Sequence, residues 1–265
     1  MQHRFDGGRI AKVFASGQSM RIVVLADIHG NREALDAVKE AVAAAAPDVI
    51  VIAGDIVGYG PDPAYAVEVA AQYAANGARV VLGNHDQAVH QEDRGMTKAA
   101  RDAIHWTRSQ LSEEHRAFLA GLPLTIVEED RLYVHASANE PGRWRYILDA
   151  QAAESAFDAT GARLIVCGHT HVPAMFYARV GYPPVAFRPL DNQPAPLIAT
   201  RRHLVVAGSV GQPRDGNPAA CFALIDLEQR CVTMRRVPYD AETTARKVLA
   251  AGLPPALATR LIFGR

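Results

Sequence analysis

Cysteine is scarce in this chain. Only Cys167, Cys221 and Cys231 occur in 265 residues, and no two of them form a Cys-x-x-Cys pair. So few and so scattered, they exclude a disulfide framework, and a reducing, cytoplasmic setting is the simplest expectation. Net charge is absent as well. Lys plus Arg and Asp plus Glu stand at 28 each, so there is no global field to draw in nucleic acid or an anionic membrane. No apolar run approaches the length that crosses a bilayer. Residues 1–19 carry Arg4, Asp6, Arg9 and Lys12 without a continuous apolar stretch, and so do not read as a secretory signal. Internal repeats, low-complexity tracts and linkers are missing too. What is left is an ordinary globular composition, 49% hydrophobic and 21% charged, with ample length for a buried core. The regular pattern begins at Arg21, directly after Met20. Residues 1–19 are therefore expected to be a disordered extension, or translation starts at Met20, and residues 20–265 are expected to form a single domain.

Within that domain three short β-branched runs alternate with helical patterns. Arg21 to Ala26 reads as a buried strand and ends in Asp27-Ile28-His29-Gly30-Asn31. An alanine-rich helix follows over Ala34 to Ala46, stopped by Pro47. Val49 to Ala53 is the second strand and ends in Gly54-Asp55. Pro61-Asp62-Pro63 opens a helix to about Ala75, with Asp62 as its expected N-cap. Ala78 to Leu82 is the third strand and ends in Gly83-Asn84-His85-Asp86. Ligands in open α/β sheets bind beyond the carboxyl ends of the strands, so these three tips are expected to meet on one edge.

Further on, helices are predicted over Lys98 to Gln110 and Glu113 to Ala120, with Ser112 capping the second. Two short strands, Pro123 to Val127 and Leu132 to His135, flank an acidic turn. A helix over Ala150 to Phe157 precedes the buried strand Leu164 to Cys167, which delivers Gly168-His169-Thr170-His171. From Val172 onward short strands with Pro and Gly turns predict an antiparallel region forming a second sheet. Ala241 to Ala250 reads as a helix, and the last residues as a surface appendage.

The strand ends collect Asp27, His29, Asp55, Asn84, His135, His169 and His171. Carboxylate, imidazole and amide without thiolate suit Mn²⁺, Fe or Zn²⁺ rather than a structural zinc knot. Seven ligands are too many for one four-coordinate ion and about right for two ions sharing a carboxylate. Such sites bind a hydroxide between the ions for in-line attack on phosphorus, and their charge stabilises the transition state. His85, beside Asn84, is placed to protonate the leaving oxygen.

The ordered set Asp-x-His, Gly-Asp, Gly-Asn-His-Asp, a lone later His and Gly-His-x-His resembles the calcineurin-like metallophosphoesterase superfamily, in particular its small prokaryotic phosphodiesterase-like branch. Matching runs extend from about Arg21 to Tyr239 and include Trp106 to Ser112 and Gly208 to Gly216. The resemblance implies a four-layer α/β/β/α sandwich with two mixed β-sheets. It implies one ion on Asp27, His29, Asp55 and His171, and another on Asp55, Asn84, His135 and His169, with Asp55 bridging. His85 takes the place of the family's general acid or transition-state stabiliser. Ala136-Ser137 stands where relatives often have Gly-Ser after the lone His. The implied activity is hydrolysis of phosphodiester or pyrophosphate bonds in a small soluble, nucleotide-type substrate. Two divalent ions serve it, with Mn foremost and Fe, Zn or Ni as alternatives. A protein serine/threonine phosphatase and a non-catalytic scaffold are the competing readings, and the oligomeric state is left open.

Several residues have two readings at this level. Asp86 either caps the following segment or orients His85. Tyr59 is a turn aromatic or a wall of the site. Arg143, Trp144, Arg145 and Tyr146 form either a substrate-binding cluster or a solvated loop. Arg214, in a glycine-rich loop, is the best candidate for a substrate-phosphate contact. His3, His90, His105, His115 and His203 lie outside the pattern and read as solvated or structural.

Overall fold

The computed structural model of the chain describes residues 20–91 and 95–265. The expected extension over residues 1–19, with His3, lies outside the described residues. Along the chain the strands are β1 (Arg21–Leu25), β2 (Val49–Ile52), β3 (Arg79–Val80), β4 (Thr125–Glu128), β5 (Arg131–Val134) and β6 (Leu164–Cys167). They continue as β7 (Ala174–Arg179), β8 (Tyr182–Phe187), β9 (Pro194–Pro196), β10 (Arg202–Val206), β11 (Ala220–Asp226) and β12 (Cys231–Val237). The helices are α1 (Arg32–Ala45), α2 (Pro63–Ala75), α3 (Asn84–Ala88) and α4 (Lys98–Gln110). After them come α5 (Glu113–Ala120), α6 (Ala150–Asp158), α7 (Ala241–Ala250) and α8 (Pro255–Phe263).

Two six-stranded mixed sheets result, ordered β3-β2-β1-β11-β12-β9 and β4-β5-β6-β10-β7-β8. β1, β2 and β3 pair in parallel, as do β5, β6 and β10, while β11 runs antiparallel to β1. The strands after Val172 do not form a sheet of their own. β7, β8 and β10 complete the second sheet, whereas β9, β11 and β12 complete the first. The reason lies in β1, whose Ile22 to Leu25 are fully buried. Such a strand needs a hydrogen-bonded neighbour on both edges, and β11 supplies the second.

The two-residue period of each central strand builds the layers. Ile22 and Val24 of β1, Val166 of β6, Val205 of β10 and Ala223 of β11 point into the apolar layer between the sheets. Val23 and Leu25 face the opposite way, into a core covered by Leu35 and Val38 of α1 and Ala66 and Ala70 of α2. Ile165, Leu204 and Val206 face Ala153, Ala156 and Phe157 of α6. The order is therefore α/β/β/α, as the resemblance implied.

Helix ends show the local chemistry. α1 starts two residues before the expected point because the Asn31 side chain accepts from Ala34 N at 3.1 Å. Ser112 caps α5 as expected, accepting from His115 N at 3.2 Å. Asp62 stands at the N-cap position of α2 but caps nothing with its carboxylate, which pairs with Lys247 of α7 instead. The last residues are no appendage either. They form α8, whose Leu257, Ala258 and Leu261 pack with Leu253 against Ala245 and Val248 of α7 and Ala103 of α4.

Candidate metal centre

The carboxyl ends of β1 and β2 and the turn entering α3 bring Asp27, His29, Asp55 and Asn84 to one edge of the first sheet. The ends of β5 and β6 bring His135, His169 and His171 from the second. The β1 and β2 tips are tied by main-chain bonds: Asp27 N donates to Gly54 O, and His29 N to Asp55 O. Gly83 must be small for steric reasons, since a Cβ there would fall on the Asp55 amide and carboxylate. Asp27, His29, Asp55, His169 and His171 all have positive φ, between 51° and 68°. Asp and His tolerate this left-handed region better than most residues, but five together mark a strained, over-determined site.

Each of the four imidazoles has one nitrogen on a backbone carbonyl. His29 Nδ1 lies 2.9 Å from Val57 O, and His135 Nδ1 2.7 Å from Ala53 O. His171 Nδ1 lies 2.6 Å from Gln212 O, and His169 Nε2 2.9 Å from Trp144 O. A carbonyl only accepts, so these nitrogens carry the protons and the other four turn their lone pairs inward. His29 Nε2 and His171 Nε2 thus face each other at 3.1 Å, and His135 Nε2 and His169 Nδ1 at 3.0 Å. Asn84 Oδ1 is 3.2 Å from His135 Nε2. Asp55 Oδ1 accepts from His85 N at 2.9 Å, which leaves Oδ2 near both His29 and His135, at 3.5 and 3.4 Å. Two buried ligand groups follow, Asp27/His29/Asp55/His171 and Asp55/His135/His169, each with its donor atoms within 4.8 Å of one another.

Converging lone pairs and buried carboxylates require positive charge. A proton on His135 is one source: burial opposes it, but Asp55 and then Asp27 push that ring up to about 9. Divalent cations are the other source, and a mixed carboxylate, imidazole and amide donor set fits them. Burial pushes the Asp27 carboxyl up to about 8, with Asp55 adding to the effect. Burial acts on Asp55 in the same direction, yet His135 and His85 prevail and hold it well below the usual carboxylate range. Burial keeps His29 and His171 far below the ordinary histidine value and lowers His169 to about 3.

His85 lies edge-on to His29, ring centroids 4.8 Å apart, and 4.4 Å from Tyr59. Its Nδ1 is buried without a hydrogen-bond partner and is backed by Gly58, where a Cβ would overlap it. Burial lowers the ring to about 4. Asp86 acts on the backbone rather than on His85: its carboxylate accepts from Ile56 N at 2.9 Å, Val57 N at 3.1 Å and Gly83 N at 3.0 Å. It thereby joins the Asp55 loop to the Asn84 turn. Tyr59 has φ 54° and also walls the site, 4.6 Å from the His29 ring. Arg214 lies over the Tyr59 ring at 5.4 Å, its guanidinium held by Gln212 Oε1 at 2.8 Å.

Two contributions were not read from the sequence. Gln212 is 2% exposed and serves both His171, through its carbonyl, and Arg214, through its side chain. The basic-aromatic cluster divides: Arg145 and Arg143 pair with Glu140, while Trp144 and Tyr146 lie against His135 and His169. Trp144 Nε1 donates to Gln87 Oε1 at 3.1 Å, and the Tyr146 ring stacks on His169 at 4.1 Å. The aromatic residues were visible, but a carbonyl ligand support leaves no trace in side-chain identity.

The model of the calcineurin-like phosphoesterase superfamily domain matches residues 20–230. An uncharacterized protein of Methanocaldococcus jannaschii is 32% identical over 250 residues, covering 92% of this chain and 98% of that one. The crystal structure of a metallophosphoesterase from Sphaerobacter thermophilus is 37% identical, with a TM-score of 0.81 over 94% of this chain and 100% of that one. A hypothetical protein of Pyrococcus horikoshii shares the fold, with a TM-score of 0.74 at 21% identity over 93% of this chain and 99% of that one. By fold, family match and buried Asp/His cluster, the chain belongs to the calcineurin-like phosphoesterase superfamily.

Proposed function

We propose that the protein is a dinuclear metal-dependent phosphoesterase that hydrolyses phosphodiester or pyrophosphate bonds of a small, nucleotide-type substrate. The observation that carries this reading is the pair of buried ligand groups sharing Asp55. Asp27, His29, Asp55 and His171 would hold one ion, and Asp55, Asn84, His135 and His169 the other. Bound there, Mn²⁺, or Fe, Zn or Ni in its place, supplies an activated water for in-line attack and neutralises charge on the phosphoryl oxygens. Arg214, steadied by Gln212 and Tyr59, offers the phosphate a charged donor. His85 gives its proton to the departing oxygen, and an anionic ester drawn against it raises its affinity for that proton. The protein's setting is proposed to be reducing and cytoplasmic, a reading that rests on the few, scattered cysteines of the sequence.

The test is hydrolysis of a matched aryl phosphodiester and aryl phosphomonoester after chelation and restoration of Mn²⁺. The diester is expected to turn over faster, and Asp55→Asn to abolish the activity. His85→Ala is expected to keep its metal while losing about 10²–10⁴-fold in kcat. Preference for the monoester would redirect the reading to a phosphatase. No turnover of either ester by metal-loaded protein would remove the catalytic reading in favour of a scaffold.

A further inference from the structure

The loop between β5 and α6 carries more structure than a connection needs. Trp144 sits at φ 54°, a strained value for a bulky residue, and its carbonyl receives the N–H of His169. Its indole is held by Gln87, next but one after His85. Arg145 O accepts from Ser137 N at 3.2 Å, and Ile147 is buried in the core under α6. Tyr146 is therefore clamped on both sides along the chain. Its ring lies nearly parallel to His169, at 16° and 4.1 Å between centroids, yet the residue is 50% exposed. One face of the ring covers a candidate metal ligand, and the other looks outward as a rigid, preorganised plane.

The opposite wall differs in kind. There Tyr59 lies against His29 and His85, and the Arg214 guanidinium stands over its ring. That wall is suited to a phosphate. On the Tyr146 side the neighbouring cations Arg143 and Arg145 pair with Glu140, and neither is stacked over the Tyr146 ring, although Arg214 acts on its hydroxyl through space. A planar group stacked on Tyr146 would be separated from His169 by one ring, a distance from the candidate metal centre that one sugar can span.

From this we propose that the outer face of Tyr146 is the stacking platform for a nucleobase of the substrate. The inference rests on the phosphoesterase reading and narrows its substrate class to esters that carry a base one sugar away from the phosphorus attacked. Base stacking on an aromatic side chain is tolerant of sequence, so the platform selects for the presence of a base more than for its identity.

The experiment compares binding of AMP and ribose 5-phosphate to the full-length, Mn²⁺-loaded protein by calorimetry, because the two ligands differ only in the base. The wild type is expected to bind AMP about tenfold more tightly or better. Tyr146→Leu keeps apolar bulk over His169 but has no π-face, and it should bring the ratio of the two affinities to about one. Tyr146→Trp should preserve the ratio. A purely structural role would lower both affinities together and leave their ratio intact, which overturns the proposal. A wild-type ratio near one, or no AMP binding, overturns it equally. Failure of the phosphoesterase reading would show instead as absent ester hydrolysis alongside an intact AMP preference.

Discussion

Seven non-glycine residues with positive φ gather around the candidate metal centre: Asp27, His29, Asp55, Tyr59, Trp144, His169 and His171. Each such conformation costs of order 1–3 kcal/mol, and it persists here because hydrogen bonds from two or three neighbouring loops over-determine it. Gly83 shows how little slack remains. Its φ of −101° is open to any residue, so the glycine is required for closeness rather than for backbone freedom. Gly83→Ala would drive a methyl into Asp55 and should leave the protein with markedly less Mn²⁺ after dialysis, measured by elemental analysis. It should also lower stability by about 1–3 kcal/mol, the usual cost of overpacking. The clustering side chains Asp27, His29, Asp55, Asn84, His135, His169 and His171 were legible in the sequence because their chemistry resides in the side chain. Gln212, Asp86 and Trp144 were missed or left ambiguous because they act through backbone carbonyls and amides, or on them.

Among the elements, those with a clear period were readable almost to the residue: α4, α5 and β6 lie where the pattern puts them. The three-residue β9 and the five-residue α3 are too short for periodicity to register. α8 buries only Leu257, Ala258 and Leu261, and its neighbours Pro254 and Pro255 look like a loop until one places Pro255 at the first helical turn. A titratable device sits within β10. His203 is buried, accepts from Ile198 N at 3.1 Å, and is lowered to about 4, first by burial and then by Arg163 and Arg201. The unfolded chain therefore binds a proton near pH 6.5 that the folded chain refuses until about pH 4. Stability attributable to this residue is complete above about pH 6.5 and is lost as pH falls toward 4. Urea midpoints measured at pH 7 and pH 5 should fall more for the wild type than for His203→Gln, whose amide oxygen can still accept from Ile198. Equal shifts in the two proteins would exclude His203 as the cause.

For the molecule as a whole, the four layers were readable only through family resemblance. The local pattern placed the late strands in one sheet, because no local signal tells β11 that its partner is β1. The candidate metal centre spans that same division, with Asp27, His29, Asp55 and Asn84 on the first sheet and His135, His169 and His171 on the second. An ion bound there links the sheets and binds the folded chain alone. Mn²⁺ at a hundred times its Kd should thus add about 2.7 kcal/mol of stability. Chelation should lower the Tm correspondingly, and a Tm indifferent to chelator would show that the ligands hold no ion across the sheets.

The pairing of β1 with β11 also has a consequence for synthesis. Arg21 and Asp226 are register partners 205 positions apart. At ribosomal speeds of about 5–20 residues per second, the central strand of the first sheet waits on the order of 10–40 s with one hydrophobic edge open. Through that interval the nascent chain presents a β-edge of the kind that recruits chaperones or mispairs. The candidate ligands on the first sheet are also made before those on the second, so an ion held by both groups would find its full set of donors only once His171 has been synthesised.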